Sequence, residues 1–237
     1  MKEKITLSFD AASQTYDSVS EVQILSSARL VDMLKDVRPS GHIQTILDVG
    51  SGTGNTAAEV MKIYPNAGYT LCDISENMLQ KAKLRIKRAN YIICDAEKYD
   101  FIEKYDLGIS NLALQWFESI DRFLEKILKN CRFFAFSTLL DGSFREYDNF
   151  LLQHGIFHFN YPSADEIKRI CEKRGKLTAW KIESYALQFE NSFGLARYFK
   201  KLGTAPQSFP KNILPLLNEH KINLNYEVFF TILEARI

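Results

Sequence analysis

The sequence predicts an α/β fold in which a parallel sheet is covered by helices on both faces. Short apolar runs that suit buried strands alternate along the chain with segments whose apolar residues recur at helical spacing. The first of these strands leads directly into a glycine-rich turn at residues 50–54. Such a turn is typical of a strand that passes into a helix in an open parallel sheet.

The first half of the chain contains the more regular part of this alternation. Apolar residues from Val22 to Leu34 lie at helical spacing, and Pro39 ends that helix. Ser75 is placed to cap a later helix, with Glu76 at its positive end. The predicted order is helix 22–37, strand 45–50, helix 56–64, strand 69–73, helix 76–89, strand 91–95 and strand 105–110.

The second half is less regular. Residues 141–162 break the alternation and are predicted to form an insertion over the sheet. Ser163 and Glu166 match a capping box, and Gly175 closes the helix that follows. The predicted elements are helix 120–130, strand 132–139, helix 164–175, strand 179–190, helix 192–203 and strand 223–237.

Composition limits the classes of function. The chain has 237 residues and a net charge of +1, which gives no global electrostatic reason to bind nucleic acid or an anionic membrane. It shows no signal-peptide core and no apolar run near the ~20 residues that span a bilayer, so a cytoplasmic location is expected. His154 and His158 have the spacing of a ligand pair but no third ligand nearby, and no metal site is predicted.

Three acidic residues at strand ends accompany the glycine turn, in which Gly50, Gly52 and Gly54 lie. Asp48 suits a cationic group, Asp73 can accept hydrogen bonds from a ribose diol, and Asp95 can accept from an exocyclic amine. The carboxyl ends of parallel strands meet at the ligand-binding edge of the sheet. A ligand with amino acid, ribose and adenine in line would meet all three, which predicts S-adenosylmethionine rather than a dinucleotide.

Residues 46–138 resemble the class I S-adenosylmethionine-dependent methyltransferases. "LDVGSGTG" resembles their glycine motif, "CDIS" their ribose acid and "CDAEKYD" their adenine-side segment. The resemblance implies a Rossmann-like, doubly wound, seven-stranded, mostly parallel sheet whose last strand is antiparallel. It also implies cofactor contacts from the segments after each strand, at Asp48, Gly50, Gly52, Gly54, Asp73, Ile74, Asp95, Ala96, Asn111 and Leu112.

Nearly the whole chain is similar to a narrower family, the malonyl-acyl carrier protein O-methyltransferases of biotin synthesis. The matching stretches are "SFDAASQTYD", "SNLALQWF", "FSTLLDGSFREY" and "LARYFKKLG". One departure is "KNCRFFAFS", where many relatives have Pro-Gly-Gly before the fifth strand. The expected organisation is a single domain with a helical lid at 1–40, a cofactor-binding core at 41–140, an insertion at 141–175 and terminal strands and helices at 176–237.

The resemblance also implies residues for the acceptor. Tyr16 lies in the segment that closes over the transfer site in relatives, and its hydroxyl could orient the acceptor oxygen. Gln115 and Trp116 could shape the acceptor pocket, and Arg145 could pair with a free carboxylate. Each has an ordinary structural alternative: a packing tyrosine, a core tryptophan or an exposed loop arginine.

A basic helix face suggests a protein partner. Arg197, Lys200 and Lys201 share one side of the helix at 192–203 and could steer an acidic acyl carrier protein. The rival basic run at 81–88 is expected to form a solvated helix face. The predicted activity is methylation of the free carboxylate of malonyl-acyl carrier protein in biotin precursor synthesis, and the partner is the malonyl-carrying protein or malonyl-coenzyme A. The alternatives are another small carboxylic acid or phenol as acceptor, and a cofactor-binding partner protein without turnover.

Overall fold

The computed structural model describes residues 2–145, 147, 160–204 and 221–236. Two short 3-10 turns lie at Tyr16–Ser18 and Leu114–Trp116. The helices of this part of the chain are α1 (Lys2–Ala12), α2 (Glu21–Val37), α3 (Asn55–Met61), α4 (Glu76–Arg85), α5 (Ile120–Ile127), α6 (Ala164–Arg174) and α7 (Ser192–Leu202).

A seven-stranded sheet forms the centre, with strand order β3-β2-β1-β4-β5-β7-β6. Strands β1 to β5 are parallel, whereas β7 is antiparallel to both β5 and β6. The predicted sheet is therefore confirmed, including its antiparallel last strand. The strands are β1 (Thr45–Val49), β2 (Gly68–Asp73), β3 (Asn90–Ile93), β4 (Tyr105–Asn111), β5 (Cys131–Leu139), β6 (Lys176–Phe189) and β7 (Ile222–Glu234).

The two faces of the sheet carry separate apolar clusters. Ile46 packs in the cluster that includes residues of α2, α3, α4 and α7, whereas Leu47 and Val49 pack in the cluster that includes residues of α5 and α6. This alternation follows from the opposite directions of successive side chains in a strand. It places the side chain of Asp48 on the Ile46 face, under α2 and α3.

The order of strands reverses at β1, which pairs with β2 on one side and β4 on the other. In open α/β sheets, ligands bind beyond the carboxyl ends of the strands at such a switch point. The segments that follow β1, β2, β3 and β4 thus converge on one edge, where the sequence places the glycine turn and the acidic residues.

Some boundaries differ from the sequence prediction. The helix predicted at 76–89 ends at Arg85, because Ile86 has an extended backbone and leads into β3. Residues 2–12 form the helix α1, whereas the prediction for this region was only a helical lid within residues 1–40. His154, His158 and most of the predicted insertion lie outside the described residues. Among the residues that are described, no helix has the length and apolar character needed to cross a bilayer.

Candidate functional site

The glycine turn after β1 is held against the end of β2. The amides of Gly50 and Ser51 both donate to the Cys72 carbonyl, at 2.9 and 3.0 Å. Gly50 has φ +65°, and a Cβ on it would lie 2.5 Å from the Ala113 Cβ. Gly52 has φ +54° with open space where a Cβ would be. The turn therefore needs glycine for backbone shape and close approach at Gly50, and it leaves Gly52 uncovered for a ligand.

Asp73, at the end of β2, is fixed by the backbone. Its Oδ2 accepts from the Gly52 amide at 2.8 Å and its Oδ1 accepts from the Ser75 amide at 2.9 Å. Burial raises the pKa of this carboxyl, and the backbone amides oppose the rise in part. Each carboxylate oxygen has a second lone pair, so a ribose diol can still be bound from the cavity side.

Asp48 is the most unusual carboxyl of the site. It is buried, and neither of its oxygens has a partner at hydrogen-bond distance and angle. Burial and the charge of Asp73 raise its pKa to about 8, and the backbone amide of Ala57 counteracts this only in part. A cation bound nearby would favour the ionised form. Asp48 is nevertheless absent from the lining of the cavity, so it would act on a ligand through the field of the site.

Asp95, after β3, lies close to a lysine from the first helix. The Nζ atom of Lys2 is 3.4 Å from Asp95 Oδ1 and 2.7 Å from Glu97 Oε2. The same ammonium lies 4.5 Å from the centroid of the Phe117 ring. Lys2 and Phe117 thus border the end of the site to which the adenine contact is assigned.

These segments line a cavity with about 690 Å³ of space that protein atoms leave free, part of which is open to solvent. Asp73 and Asp95 line it, as do all the other predicted cofactor contacts except Asp48 and Gly54. Gly54 instead lies at the start of α3. The described lining is Lys2, Ile5, Phe9, Tyr16, Gly50, Gly52, Cys72, Asp73, Ile74, Met78, Cys94, Asp95, Ala96, Asn111, Leu112, Ala113, Trp116 and Phe117.

A hydrogen-bond network around Asn111, which we call the polar junction, supports the end of β4 that borders this cavity. The Asn111 side chain donates to the Gln23 carbonyl at 3.0 Å and accepts from the hydroxyls of Ser26 and Ser137. These bonds tie α2, β4 and β5 together. Leu112 follows with φ +48°, a strained value for a branched side chain. Such strain persists where the surroundings fix it and clusters at functional sites.

A second cavity adjoins the first through Leu112 and Trp116, which line both. Its described lining combines aromatic and aliphatic side chains with amide and hydroxyl groups. Phe144, on the wall of the second cavity, has φ +60°, so it is a bulky residue with a left-handed backbone, as Leu112 is. The lining consists of Gln23, Leu112, Gln115, Trp116, Leu139, Phe144, Tyr161, Phe199, Leu202, Thr204 and Tyr226.

Residues 2–18 cover the cofactor-side cavity. We call residues 2–18 the lid segment. Phe9 and Tyr16 line the cavity, and Phe9 makes an edge contact with Trp116 at 5.7 Å between centroids. Burial and the neighbouring Asp73 raise the pKa of Tyr16, so its hydroxyl keeps its proton at neutral pH. Tyr16 can therefore donate a hydrogen bond into the cavity.

Acidic side chains hold the lid segment to the core. Asp10 accepts from the Ser75 hydroxyl at 2.5 Å and from the Asn77 amide at 3.2 Å. Asp17 accepts from the Thr53 hydroxyl at 2.6 Å and pairs with Arg85 at 2.8 Å. Arg85 belongs to the basic run that the sequence assigned to a solvated face. Arg85 is exposed, as expected, but its guanidinium also bonds the Thr53 carbonyl beside the glycine turn.

The remaining predicted acceptor residues are placed less uniformly. Gln115 and Trp116 line the second cavity, whereas Arg145 is exposed and is absent from the described lining of both cavities. Arg197 and Lys200 are exposed on α7, and Lys201 is half-buried. The inner face of the same helix supplies Phe199 and Leu202 to the second cavity, so the basic face lies on the outside of one of its walls.

Several residues of the site were not predicted from the sequence. Lys2 lies before the matching stretches, and Asp10 and Asp17 lie within "SFDAASQTYD". No local pattern links any of the three to strand ends that follow much later in the chain. Gln23 and Thr204 reach the second cavity only because α2 and α7 pack on the same face of the sheet. One usable signal was the spacing of Asp10 and Asp17, seven residues apart on a segment expected to cover the site.

Comparison with known proteins assigns the chain to a class. A family model described as "Methyltransferase domain" matches residues 46–132, which contain β1 to β4 and the glycine turn. The cavity fits the cofactor of that class. A cationic nucleoside suits four features of the site. These are the open space at Gly52, the free lone pairs of Asp73, the position of Asp95 at the amine end and the unpaired carboxyl of Asp48.

Curated relatives narrow the class. A malonyl-[acyl-carrier protein] O-methyltransferase of Priestia megaterium is 30% identical over 73% of this chain and 68% of that protein. One from Neorickettsia risticii is 27% identical over 84% of this chain and 81% of that protein. The chain therefore belongs to the class I S-adenosylmethionine-dependent methyltransferases, in the group that contains the malonyl-[acyl-carrier protein] O-methyltransferases.

Solved structures agree with the fold. The plantazolicin methyltransferase BpumL, solved with a desmethylplantazolicin analogue and S-adenosylhomocysteine, has a TM-score of 0.60 at 18% identity and covers 99% of this chain and 96% of its own. A methyltransferase structure from Bacillus halodurans has a TM-score of 0.62 at 14% identity, over 87% of this chain and 99% of its own. The cofactor of this protein is S-adenosylmethionine, and the product formed from it is S-adenosylhomocysteine.

Proposed function

We propose that this methyltransferase esterifies the free carboxylate of a malonyl thioester carried by an acyl carrier protein, a step in the synthesis of a biotin precursor. The observation that carries the proposal is the second cavity, which adjoins the cofactor cavity and has the basic helix α7 as one wall. The printed names of the relatives favour the same acceptor. A relative named as a biotin biosynthesis bifunctional protein favours the same pathway.

The chemistry of a carboxylate acceptor suits this lining. S-adenosylmethionine supplies an activated methyl group on a sulfonium, which leaves as a neutral thioether. A carboxylate is already ionised at pH 7 and attacks without the help of a general base. The protein then has to align and desolvate the reactants, and alignment alone can contribute about 7–11 kcal/mol. Leu112 and Trp116 fit this role, because they border both cavities.

Tyr16 is proposed to contact the acceptor at the transfer site, and Arg145 is proposed to contact it on entry. The protonated Tyr16 hydroxyl lies on the cofactor-side cavity and can donate to the attacking oxygen. Arg145 directly follows Phe144, a wall residue of the second cavity, and its exposed guanidinium can meet the anionic acceptor on entry. On this proposal, Arg145→Lys should lower turnover, since it keeps the charge but loses the planar fork. S-adenosylhomocysteine affinity should stay at the wild-type value.

The outer face of α7 is proposed to receive the carrier protein. Arg197 and Lys200 are exposed there, one helical turn apart, and Lys201 lies beside them. Carrier proteins are acidic, so a local basic face would speed their association despite the near-neutral net charge of the enzyme. The docked carrier would then deliver its acyl group near the wall formed by Phe199 and Leu202.

The deciding experiment measures transfer of a radiolabelled methyl group to malonyl-carrier protein, malonyl-coenzyme A and free malonate. The expected result is a carrier-bound methyl ester, with malonyl-coenzyme A used less efficiently and free malonate used poorly. Preferred methylation of free malonate or of a phenol would contradict the proposal. Binding of S-adenosylhomocysteine without transfer to any of these acceptors would favour a partner protein without turnover.

A further inference from the structure

Three buried polar atoms in the second cavity lack hydrogen-bond partners. They are the side-chain oxygens of Gln23 and Gln115 and the hydroxyl of Thr204. Buried polar groups in folded proteins are nearly always bonded, so a group of exceptions in one cavity calls for an explanation. The three come from α2, from the turn after β4 and from the end of α7, so their convergence results from tertiary packing.

The side-chain amide of Gln115 has a defined orientation. Its Nε2 donates to the Leu112 carbonyl at 2.7 Å, which fixes the amide so that Oε1 is the unbonded atom. Leu112 is itself held by the Ser137 hydroxyl, which accepts from its amide at 3.0 Å. The strained backbone at Leu112 and at Phe144 shows that this wall is determined by its surroundings. The free oxygen of Gln115 thus has a set position in the cavity.

The chemistry of the three atoms defines the group that they would bind. Two carboxamide oxygens can only accept hydrogen bonds, and a threonine hydroxyl can also donate one. Their complement is a group with an N–H donor beside a carbonyl acceptor, which is a secondary amide. The malonyl group has only acceptor atoms in its carboxylate and thioester. The arm that carries a malonyl thioester on a carrier protein or on coenzyme A has a secondary amide a few bonds beyond the sulfur.

We propose that Gln23, Gln115 and Thr204 form a subsite for this first amide of the thioester arm. The inference rests on the proposed function and names the part of the substrate that the second cavity recognises. The carboxamides accept from the amide N–H, and the Thr204 hydroxyl donates to the amide carbonyl. The subsite positions the acyl chain so that its free carboxylate reaches the junction at Leu112 and Trp116. The subsite binds the thioester arm and takes no part in forming the ester bond.

The test compares two small acceptors with the same malonyl group. Malonyl-N-acetylcysteamine has the amide of the arm, and S-pentyl malonyl thioester has an alkyl chain of similar length without it. The wild-type enzyme should use the amide-bearing thioester with a kcat/KM about tenfold higher, mainly through KM, as expected for buried hydrogen bonds that only one substrate satisfies. Equal kcat/KM values for the two thioesters would overturn the subsite and leave the proposed function standing.

Variants assign the preference to residues. Gln115→Met, Gln23→Met and Thr204→Val should each reduce the ratio of the two kcat/KM values toward one, and Thr204→Ser should restore it. Gln188→Met makes the same chemical change at an exposed position of β6 and should keep the wild-type ratio. Titration with S-adenosylhomocysteine confirms that each variant is folded. Unchanged ratios in the three folded variants would overturn the subsite. Failure of the wild type to methylate either thioester, while malonyl-carrier protein is methylated, would overturn the subsite and leave the proposed function standing.

Discussion

The two adjoining cavities are built in opposite ways. The cofactor cavity takes most of its polar contacts from short segments that follow β1 to β4, and the backbone of one segment binds the carboxylate of the next, as in the bond from Gly52 to Asp73. The second cavity is assembled from α2, the ends of β4, β5 and α7, and β7, which are far apart in the chain. The first cavity is thus defined by local motifs and fixed charge, whereas the second is defined by packing and has a neutral described lining.

The largest effect should come from the most firmly fixed group of the cofactor cavity. Asp73→Ala removes charge-assisted bonds to the ribose, each worth about 1.5–3 kcal/mol, so affinity for S-adenosylhomocysteine should fall by about a hundredfold or more. Calorimetric titration measures this directly. Asp106→Ala is the matched control, because Asp106 also accepts backbone amides, at 2.8 and 3.1 Å, but lies at the start of β4. Wild-type affinity in the Asp73 variant would remove that residue from the cofactor site.

The buried carboxyl of Asp48, beside the cofactor cavity, should also affect the pH dependence of stability. Asp48 holds its proton in the folded protein up to a pKa of about 8, whereas its unfolded value is 3.8. Between these values the folded state carries the additional proton, so the free energy of unfolding falls as pH rises, by at most about 1.4 kcal/mol per pH unit. This destabilisation is absent below pH 3.8 and complete above pH 8.

Asp48→Asn should therefore flatten this slope and stabilise the protein at pH 7. Urea unfolding of the cofactor-free protein at pH 5, 6 and 7 measures both effects. Asp36→Asn, at an exposed carboxylate of α2, should leave the slope unchanged. Identical slopes in the wild type and in Asp48→Asn would show that Asp48 is ionised in the folded protein, and the contrast in charge between the two cavities would then be larger.

A smaller effect is expected at the basic outer face of α7, which lies outside the second cavity. Arg197→Glu combined with Lys200→Glu should raise the KM for malonyl-carrier protein about fivefold at low salt and leave malonyl-coenzyme A nearly unaffected, because long-range attraction mainly changes association. The matched control is Lys87→Glu with Arg88→Glu, the same charge reversal at exposed positions after α4. An equal rise in KM for both acceptors would exclude α7 as the docking surface.

The smallest effect concerns the lid segment. Asp17→Asn weakens the bonds to Thr53 and Arg85, which are partly exposed, and exposed ion pairs contribute about 0.2–1 kcal/mol. Release of S-adenosylhomocysteine should then become about two- to threefold faster in stopped-flow measurements. Asp32→Asn removes an exposed pair with Lys35 on α2 and should leave the release rate unchanged. Unaltered release in Asp17→Asn would mean that the lid segment is retained by its other contacts.

The same contrast explains what the sequence could predict. The alternation of strands and helices, the glycine turn and the positions of Asp73 and Asp95 follow from local patterns, because each strand end is marked by its own residues. The pairing of Lys2 with Asp95 and the bond from Arg85 to Asp17 depend on how distant helices pack. The helical pattern of α2 does not distinguish Gln23 from the other polar positions of that helix. Only the packing of α2 against the end of β4 places Gln23 in a cavity. Asp48 was predicted to face the ligand, but its strand directs it beneath α2 and α3.

The polar junction at Asn111 has a consequence for amide hydrogen exchange. Its bonds join α2 to two central strands, and Ser27 adds a 2.6 Å bond from α2 to Thr56 of α3. The amides of α2 should therefore exchange only through global unfolding. The amides of α1, which is attached mainly by side-chain contacts, should exchange through local opening. S-adenosylhomocysteine should then slow exchange in α1 far more than in α2 under conditions that favour local opening, so α1 reports on occupancy of the cofactor cavity without any added label.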